Sequence, residues 1–381
     1  MRAGDRRRIA GERFAAMWLD PPASRRTGPG GGAEPMGDLI ERTVAHHLAM
    51  QAQDAAGGMW SVGVRTGAAG AAGATLTDVE AAIADRRITR SWPMRGTLHL
   101  MATRDVRWMC RLLNPAIVAA RRLVFERSGL TETIVGTARD LLVAALSDVG
   151  ILSRPDAMTV LGRAGIDTTD QRGYHLLGRF CQEGLLCQGP AAGRQPTFVL
   201  LDDWVPSSWD PGREEAMAAL ASRYVASHGP VTVRDLAGWS GQGLTFTREA
   251  VALAGDALTT QEIGGVTYLV STTRHEVPSR ARVCLLPGFD ELLLGYKDRS
   301  AMLTPDEELL VVPGKNGMFL STVVVGGIVV GLWRRQPGTR RLVLTILPFA
   351  TMSATRRGEV KRAGAAYGRF VGREVEVRFD E

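Results

Sequence analysis

Residues 228–241 read HGPVTVRDLAGWSG, and this stretch decides the fold. A helical pattern, EEAMAALASRYVASHGP, leads into it and is broken at Gly-Pro. A capped short helix, TVRDLAGWSG, follows, and the pair reads as a helix–turn–helix. Next come a further helix, FTREAVALAG, and a ribbon, LTTQEIGGVTYLV, turned at Gly-Gly. Helix, turn, helix and ribbon together outline a winged helix.

The outline recurs twice upstream. Its first copy has DLIERTVAHHLAM, with Asp38 as candidate N-cap, then TLTDVEAAIADRRI, opening near Thr77, and the hairpin TRSWPMRGTLHLM. A short helix, ERFAAMWLD, and a turn-rich loop, PPASRRTGPGGGAEP, precede it. Inside it, MWSVGVRT alternates like a strand and GAAGAAGA reads as a flexible link. The second copy runs TARDLLVAALSDVG, RPDAMTVLGRAGI and QRGYHLLGRFCQEGLLCQG, with TFVLLDDWVP as closing strand. Little identity links the copies, so the recurrence is structural. From about Ala281, RVCLLPGFDELLLGY, ELLVVPG, FLSTVVVGG, IVVGLWRRQ, RLVLTILP and EVEVRFDE are short β-rich runs between turns. One helical candidate, SATRRGEVKRAGAAYGRFVG, lies before the last of them. The expectation is an α+β chain of three tandem winged-helix units, residues 1–130, 131–212 and 213–280. A small antiparallel β-barrel or curled sheet, residues 281–381, closes it.

Composition narrows the function. At 381 residues, 45% hydrophobic and 23% charged, the chain is of ordinary globular type, without an apolar run long enough to span a membrane. Its basic N-terminus lacks the apolar region of a secretion signal, and Cys110, Cys181, Cys187 and Cys284 form no CxxC pair. Cytoplasmic, reduced thiols and no membrane are expected. Net charge is +6 with a pI near 9.5, and only Lys297, Lys315 and Lys361 among 46 basic residues are lysine. Arginine suits phosphate and guanine edges, although codon usage in a GC-rich genome also enriches it.

The usual catalytic sets are missing. No GxSxG, HExxH or Walker A occurs, and GPGGGAEP sits between helices rather than after a strand. His46, His47, His99, His175, His228 and His275 show no metal spacing, so packed or surface roles are expected and no cofactor or metal is implied. The acid pairs Asp202/Asp203 and Asp290/Glu291 read as solvated faces or caps. One motif stays unexplained: residues 51–54, QAQD, directly after HHLAM. On a helix, positions i and i+2 diverge by about 200°. In extended backbone they share a face, roughly 6.5–7 Å apart. If Gln51 and Gln53 serve one site, their spacing requires extended backbone, with Asp54 facing the other way in a loop or capping role rather than a direct catalytic one.

Four stretches in order carry a resemblance: QAQD (51–54), SWPMRGTLHLM (91–101), LPGFDELLLGYKDRS (286–300) and NGMFLSTVVVGGIVVGLWRR (316–335). With the three helical segments, the chain resembles the AlkZ-type family of bacterial DNA glycosylases, in the winged-helix group that also holds YcaQ-type enzymes. The resemblance implies winged helices and a barrel around DNA, with the glutamines of a Q-apolar-Q motif as the catalytic pair. Those positions match Gln51 and Gln53 around Ala52. The YcaQ-type branch carries Asp where this chain has Gln53.

The implied substrate explains why amides suffice. Guanine alkylated at N7 is cationic and leaves without protonation, through an oxocarbenium-like state at C1′. Positioned water and oriented dipoles remain to be supplied, and glutamine carbonyls can supply them. No lysine lies near the motif, which favours a monofunctional, water-using reaction over Schiff-base chemistry. The resemblance points to double-stranded DNA with N7-alkylated guanine, as bulky natural-product adducts or interstrand crosslinks, bound by a monomer in self-resistance to a genotoxin. Arg334 and Arg335 at a barrel hairpin, and Lys297 and Arg299 in GYKDR, are candidate phosphate or groove contacts, with solvated strand-end charge as the alternative. Arg95 is a candidate on the first wing, where His99 is expected to be structural. Arg356, Arg357, Lys361 and Arg362 form a second basic cluster. The competing reading is a non-catalytic winged-helix DNA-binding protein, a regulator or lesion sensor.

Overall fold

The computed structural model describes residues 2–20, 34–67, 73–205, 209–273, 282–315, 317–337 and 341–380. The expected loop at 21–35 and the Gly/Ala link at 67–74 lie largely outside them, as does His275. The chain is mixed α/β and divides into two compact units, Met1–Val79 with Met217–Glu381, and Glu80–Ala216.

The first unit begins with helices α1 (Ala3–Ala16) and α2 (Met36–His46), a two-residue strand β1 (Met50–Gln51), α3 (Ala55–Thr66) and the first turn of α4 (Leu76–Ala84). Helix α1 is longer than ERFAAMWLD implied. Helix α2 starts two residues before Asp38, with Pro35 at the N-cap, so Asp38 sits in the first turn. Thr75 and Asp78, not Thr77, close the reciprocal bonds that start α4.

MWSVGVRT is not a strand: it is most of α3. Trp60, Val62 and Val64 alternate in sequence, but Ser61, Gly63, Arg65 and Thr66 between them are buried too. A helix enclosed on every side has no polar face, so apolar periodicity cannot distinguish it from a strand.

In the second unit, β2 (Ile88–Met94) and β3 (Thr97–Ala102) form the expected hairpin, turned at Arg95 and Gly96 with φ of 54° and 71°. Two positive φ values in a two-residue turn suit the strand twist. Helices α5 (Val106–Leu113), α6 (Pro115–Arg127) and α7 (Glu132–Val149) follow. Then come β4 (Leu152–Ser153), α8 (Arg154–Arg163), α9 (Arg172–Gln182), β5 (Leu186–Gln188), β6 (Thr197–Leu200) and α10 (Leu201–Trp204). TFVLLDDWVP is thus strand for only four residues before it turns helical. The strands lie in the order β3-β2-β5-β6-β4. Leu142, Leu146, Leu161, Leu176, Phe180 and Phe198 build the core beneath them. All four cysteines are free and buried, and burial pushes the Cys110 and Cys187 thiols up to about 12. They are unreactive thiols at neutral pH.

Back in the first unit, α11 (Arg213–His228) leads through Pro230 to α12 (Val233–Ser240), α13 (Leu244–Ala254) and the ribbon β7 (Leu258–Ile263) and β8 (Val266–Ser271). Thr232 and Asp235 form a capping box at α12, and Gly241 ends it at φ 72°. Val231 in the helix–helix turn bridges to Leu269 of β8.

The C-terminal part carries β9 (Val283–Leu286), one helical turn α14 (Glu291–Leu294), α15 (Pro305–Val311) and β10 (Thr322–Val325). It ends with β11 (Ile328–Pro337), β12 (Leu342–Pro348), α16 (Ala354–Phe370) and β13 (Val375–Phe379). ELLVVPG belongs to α15 rather than to a strand, because Thr304 and Glu307 make a capping box. The sheet is curled and open, ordered β13-β12-β11-β10-β9, and is not a closed antiparallel barrel. β13 pairs parallel with β12, while the other neighbours are antiparallel. Parallel neighbours need a long crossover between them, and α16 is that crossover. Tyr367 and Phe370 of α16 pack on Trp60 of α3, and Tyr367 also meets Trp333 of β11. The two indoles donate to Leu285 and Leu286 carbonyls of β9, so α3 is locked to the sheet.

Candidate active site

The QAQ motif fills the break between α2 and α3. Gln51 ends β1 in extended backbone, and burial alternates along the motif: Gln51 is half-buried, Ala52 fully buried, Gln53 exposed. Asp54 departs from the expected alternation and is exposed, because the chain bends there to enter α3. It occupies the N-cap position of α3 without a side-chain capping bond.

Two glycines let the motif lie against α3. A β-carbon on Gly58 would fall 2.6 Å from the Ala52 Cβ and 3.2 Å from the Gln51 carbonyl oxygen. One on Gly57 would meet the Asp54 carboxylate at 2.8 Å and Pro287 at 3.3 Å. Gly58 is a packing requirement imposed by the glutamine segment, whereas a methyl at Gly57 would meet the movable end of Asp54 and Pro287.

Beneath the motif lies a buried set of charges. Asp290 and Glu291 are 3% and 1% exposed, so the reading of this pair as a solvated face is corrected, while the alternative reading as a cap holds for Asp290. Asp290 takes both Nη groups of Arg65 at 2.8 Å and the Ser61 hydroxyl at 2.7 Å, and caps α14. Arg65 also donates through Nε to His47 Nε2 at 3.1 Å. His47 Nδ1 lies 2.8 Å from the Thr43 carbonyl and donates to it, which leaves Nε2 as the acceptor. Burial, reinforced by the Arg65 charge, holds His47 well below the ordinary histidine range, in its neutral form. Glu291 accepts the Gln51 main-chain N–H at 2.9 Å and the Trp239 indole N–H at 2.9 Å. Sequence reasoning set both acids aside as faces or caps and passed over Gly58. Their only signal was their place in LPGFDELLLGYKDRS and QAQDAAGG.

The candidate DNA contacts part company. Arg334 and Arg335 are adjacent on β11 and so face opposite sides of the sheet. Arg335 shares the side of Trp333, donates to the Tyr367 hydroxyl at 2.9 Å and feels the Asp54 charge, so it belongs to the motif's surroundings. Arg334 is exposed and lies 3.5 Å from Asp380. Lys297 is exposed, its aliphatic stem lying over Gly238 of α12 and its N–H on Asp235. Arg299 braces its own segment, donating to the Leu293 carbonyl at 2.6 Å and to Glu308 at 3.1 Å over the Phe319 ring. Arg95 belongs to the second unit, where its Nη2 lies 3.2 Å from His99 Nε2. His99 is fully buried, and its Nδ1 lies 2.9 Å from the Thr97 carbonyl. In the second basic cluster, Arg356 pairs with Glu359 and Arg357 lies over Phe379. No group of metal-ligating side chains occurs among the described residues.

The buried acids therefore tie the main chain of the QAQ segment to α14, α12 and α3. Residues 44–370 match the family described as DNA glycosylase AlkZ-like, and the chain belongs to that family of hydrolases of the N-glycosidic bond. The chain is similar to the interstrand DNA cross-link repair glycosylase of Streptomyces sahachiroi, 26% identical over 339 residues, or 83% of this chain and 88% of the relative. Its fold is similar to the solved structure of Streptomyces sahachiroi DNA glycosylase AlkZ, with a TM-score of 0.76 and 24% identity over 98% of this chain and 99% of that one. Among the described residues, no helix is long and apolar enough to cross a membrane.

Proposed function

We propose that the protein hydrolyses the N-glycosidic bond of N7-alkylated guanine in double-stranded DNA, as a monomer, with Gln51 and Gln53 holding the attacking water. The observation that carries this reading is the alternation at 51–53, where buried Ala52 anchors the segment between two outward glutamines. Water oxygen bonds to C1′ as the C1′–N9 bond breaks, and the released electron pair neutralises the cationic purine. Its proton passes to solvent, since an amide accepts a hydrogen bond but does not keep a proton. The relative named for interstrand cross-link repair supports crosslinks as substrates, and we extend the reading to bulky adducts and to self-resistance to a genotoxin.

The order α11, α12, α13, β7 and β8, tied by the Val231–Leu269 bridge, supports a winged helix over 213–280. We extend that reading to residues 1–130 and 131–212, which gives three such units before the curled sheet. Arg335, Arg334, Lys297 and Arg95 contact the DNA backbone or groove. Arg299, already tied to Leu293 and Glu308, contributes least.

The test is a duplex bearing one N7-alkylguanine, assayed for free modified base and an alkali-labile abasic site. Release is expected, with Gln51→Ala and Gln53→Ala each slowing it about 100-fold while duplex affinity stays within about twofold. No release from either 7-methylguanine or a bulky adduct would sink the N7-guanine assignment. Unchanged rates in the double variant would remove the glutamines from the mechanism.

A further inference from the structure

The mechanism above gives no part to Glu291, yet each of its carboxylate oxygens has a defined task. Oε1 accepts the Gln51 N–H and Oε2 the Trp239 indole N–H, both at 2.9 Å. His228 Nε2, itself buried and without a hydrogen-bond partner, lies 3.6 Å from Oε2. Two residues before Glu291, Phe289 holds φ at 64°, a conformation that costs a bulky residue about 1–3 kcal/mol. It starts the turn from which both following acids are directed inward.

We infer that Glu291 is a positioning residue that fixes the main chain of Gln51 and so sets the direction of its amide. The inference rests on the role proposed above for Gln51. Burying a carboxylate is costly, and an apolar side chain of similar size would pack the same space more cheaply. What the carboxylate supplies is a charge-assisted bond, about twice as strong as a neutral one, on the peptide that starts the motif. Its neighbour Asp290 grips α3, on the far side of the motif, through Arg65 and Ser61. Two consecutive acids on α14 and its cap therefore hold both flanks of the four-residue stretch that carries the glutamines. Trp239 fixes the carboxylate in turn from α12, so the rigidity of that helix reaches Gln51 through a single side chain.

Glu291→Gln tests this, because an amide has one acceptor oxygen and the site presents two N–H donors. Trp239→Phe removes the competing donor, freeing the amide oxygen for Gln51 and leaving the NH2 near His228 Nε2. Single-turnover base release should fall about tenfold or more for E291Q in the wild-type background, with duplex affinity within about twofold. In the W239F background the same change should cost less than about threefold. Deuterium exchange of the Gln51 amide, read without substrate, should be fast in E291Q and slow again in E291Q/W239F. A Gln51 amide that stays protected in folded E291Q overturns the inference. So does a loss of rate that deepens when W239F is added, the behaviour of a purely structural residue. If E291Q does not fold, E291Q/W239F decides: a rate near that of W239F supports the inference and a tenfold lower one overturns it. If the wild-type protein releases no base, the proposed function falls, while the exchange measurement still decides what Glu291 does.

Discussion

Two charged regions of the first unit are built in opposite ways. Under the glutamines, Arg65, Asp290 and Glu291 are buried, each with several short bonds, and they join segments 225 to 240 residues apart. Near the end of β11, Arg334 and Arg335 stand at the surface, and Arg334 meets an exposed acid, Asp380, at 3.5 Å. The first arrangement cannot adjust without leaving a charge unpaired in a low dielectric; the second adjusts freely and is screened by salt. Rate and affinity should therefore separate along this divide, with the buried set controlling geometry and the rim controlling binding.

The strongest way to break the comparison is Asp290→Asn, which keeps the shape and removes the charge. Leaving Arg65 uncompensated should cost about 3–5 kcal/mol, read as a large fall in the denaturation midpoint of the first unit. A fall of less than 1 kcal/mol would show that the pair is not the strut described here. Gly58→Ala comes next. Its new methyl presses on Ala52, so about 1–3 kcal/mol of stability is lost, and base release should drop further than stability does, by up to about 100-fold. Equal release by the variant would mean that the motif tolerates displacement.

On the rim, Arg335→Ala should weaken duplex binding severalfold and lower the salt slope by about 1, with Arg334→Ala weaker in both respects. If Arg335→Ala lowers only the melting temperature, its bond to Tyr367 is its whole function. The smallest effect concerns pH. His47 is held neutral by burial and by Arg65, with a folded value below the ordinary 6.5. Below 6.5 the unfolded chain takes up a proton that the folded one refuses, so stability is full above that pH and is lost as pH falls toward the lowered value. The melting temperature should drop from pH 7 to pH 5, and His47→Gln should flatten that slope. An unchanged slope would place the acid sensitivity elsewhere.

Local chemistry made much of the fold legible. Gly-Pro before a capped TVRDLAGWSG sets the α11–α12 turn, RG sets the β2–β3 hairpin, and Gly-Gly turns the β7–β8 and β10–β11 ribbons. The helix before the last strand left room for the crossover that a parallel strand needs, but which strand it would pair with was set by the tertiary structure. The TPDE capping box of α15 was there to be read as well.

The candidate site divides in the same way. The i, i+2 spacing of Gln51 and Gln53 is a property of the chain, and extended backbone at Gln51 follows from it once the two are taken as one pair. That α3 is a helix, that Gly58 is obligatory and that Asp290 and Glu291 are buried were decided only by tertiary packing. Each of these depends on what stands against the residue from far along the sequence, and neither periodicity nor spacing carries that information.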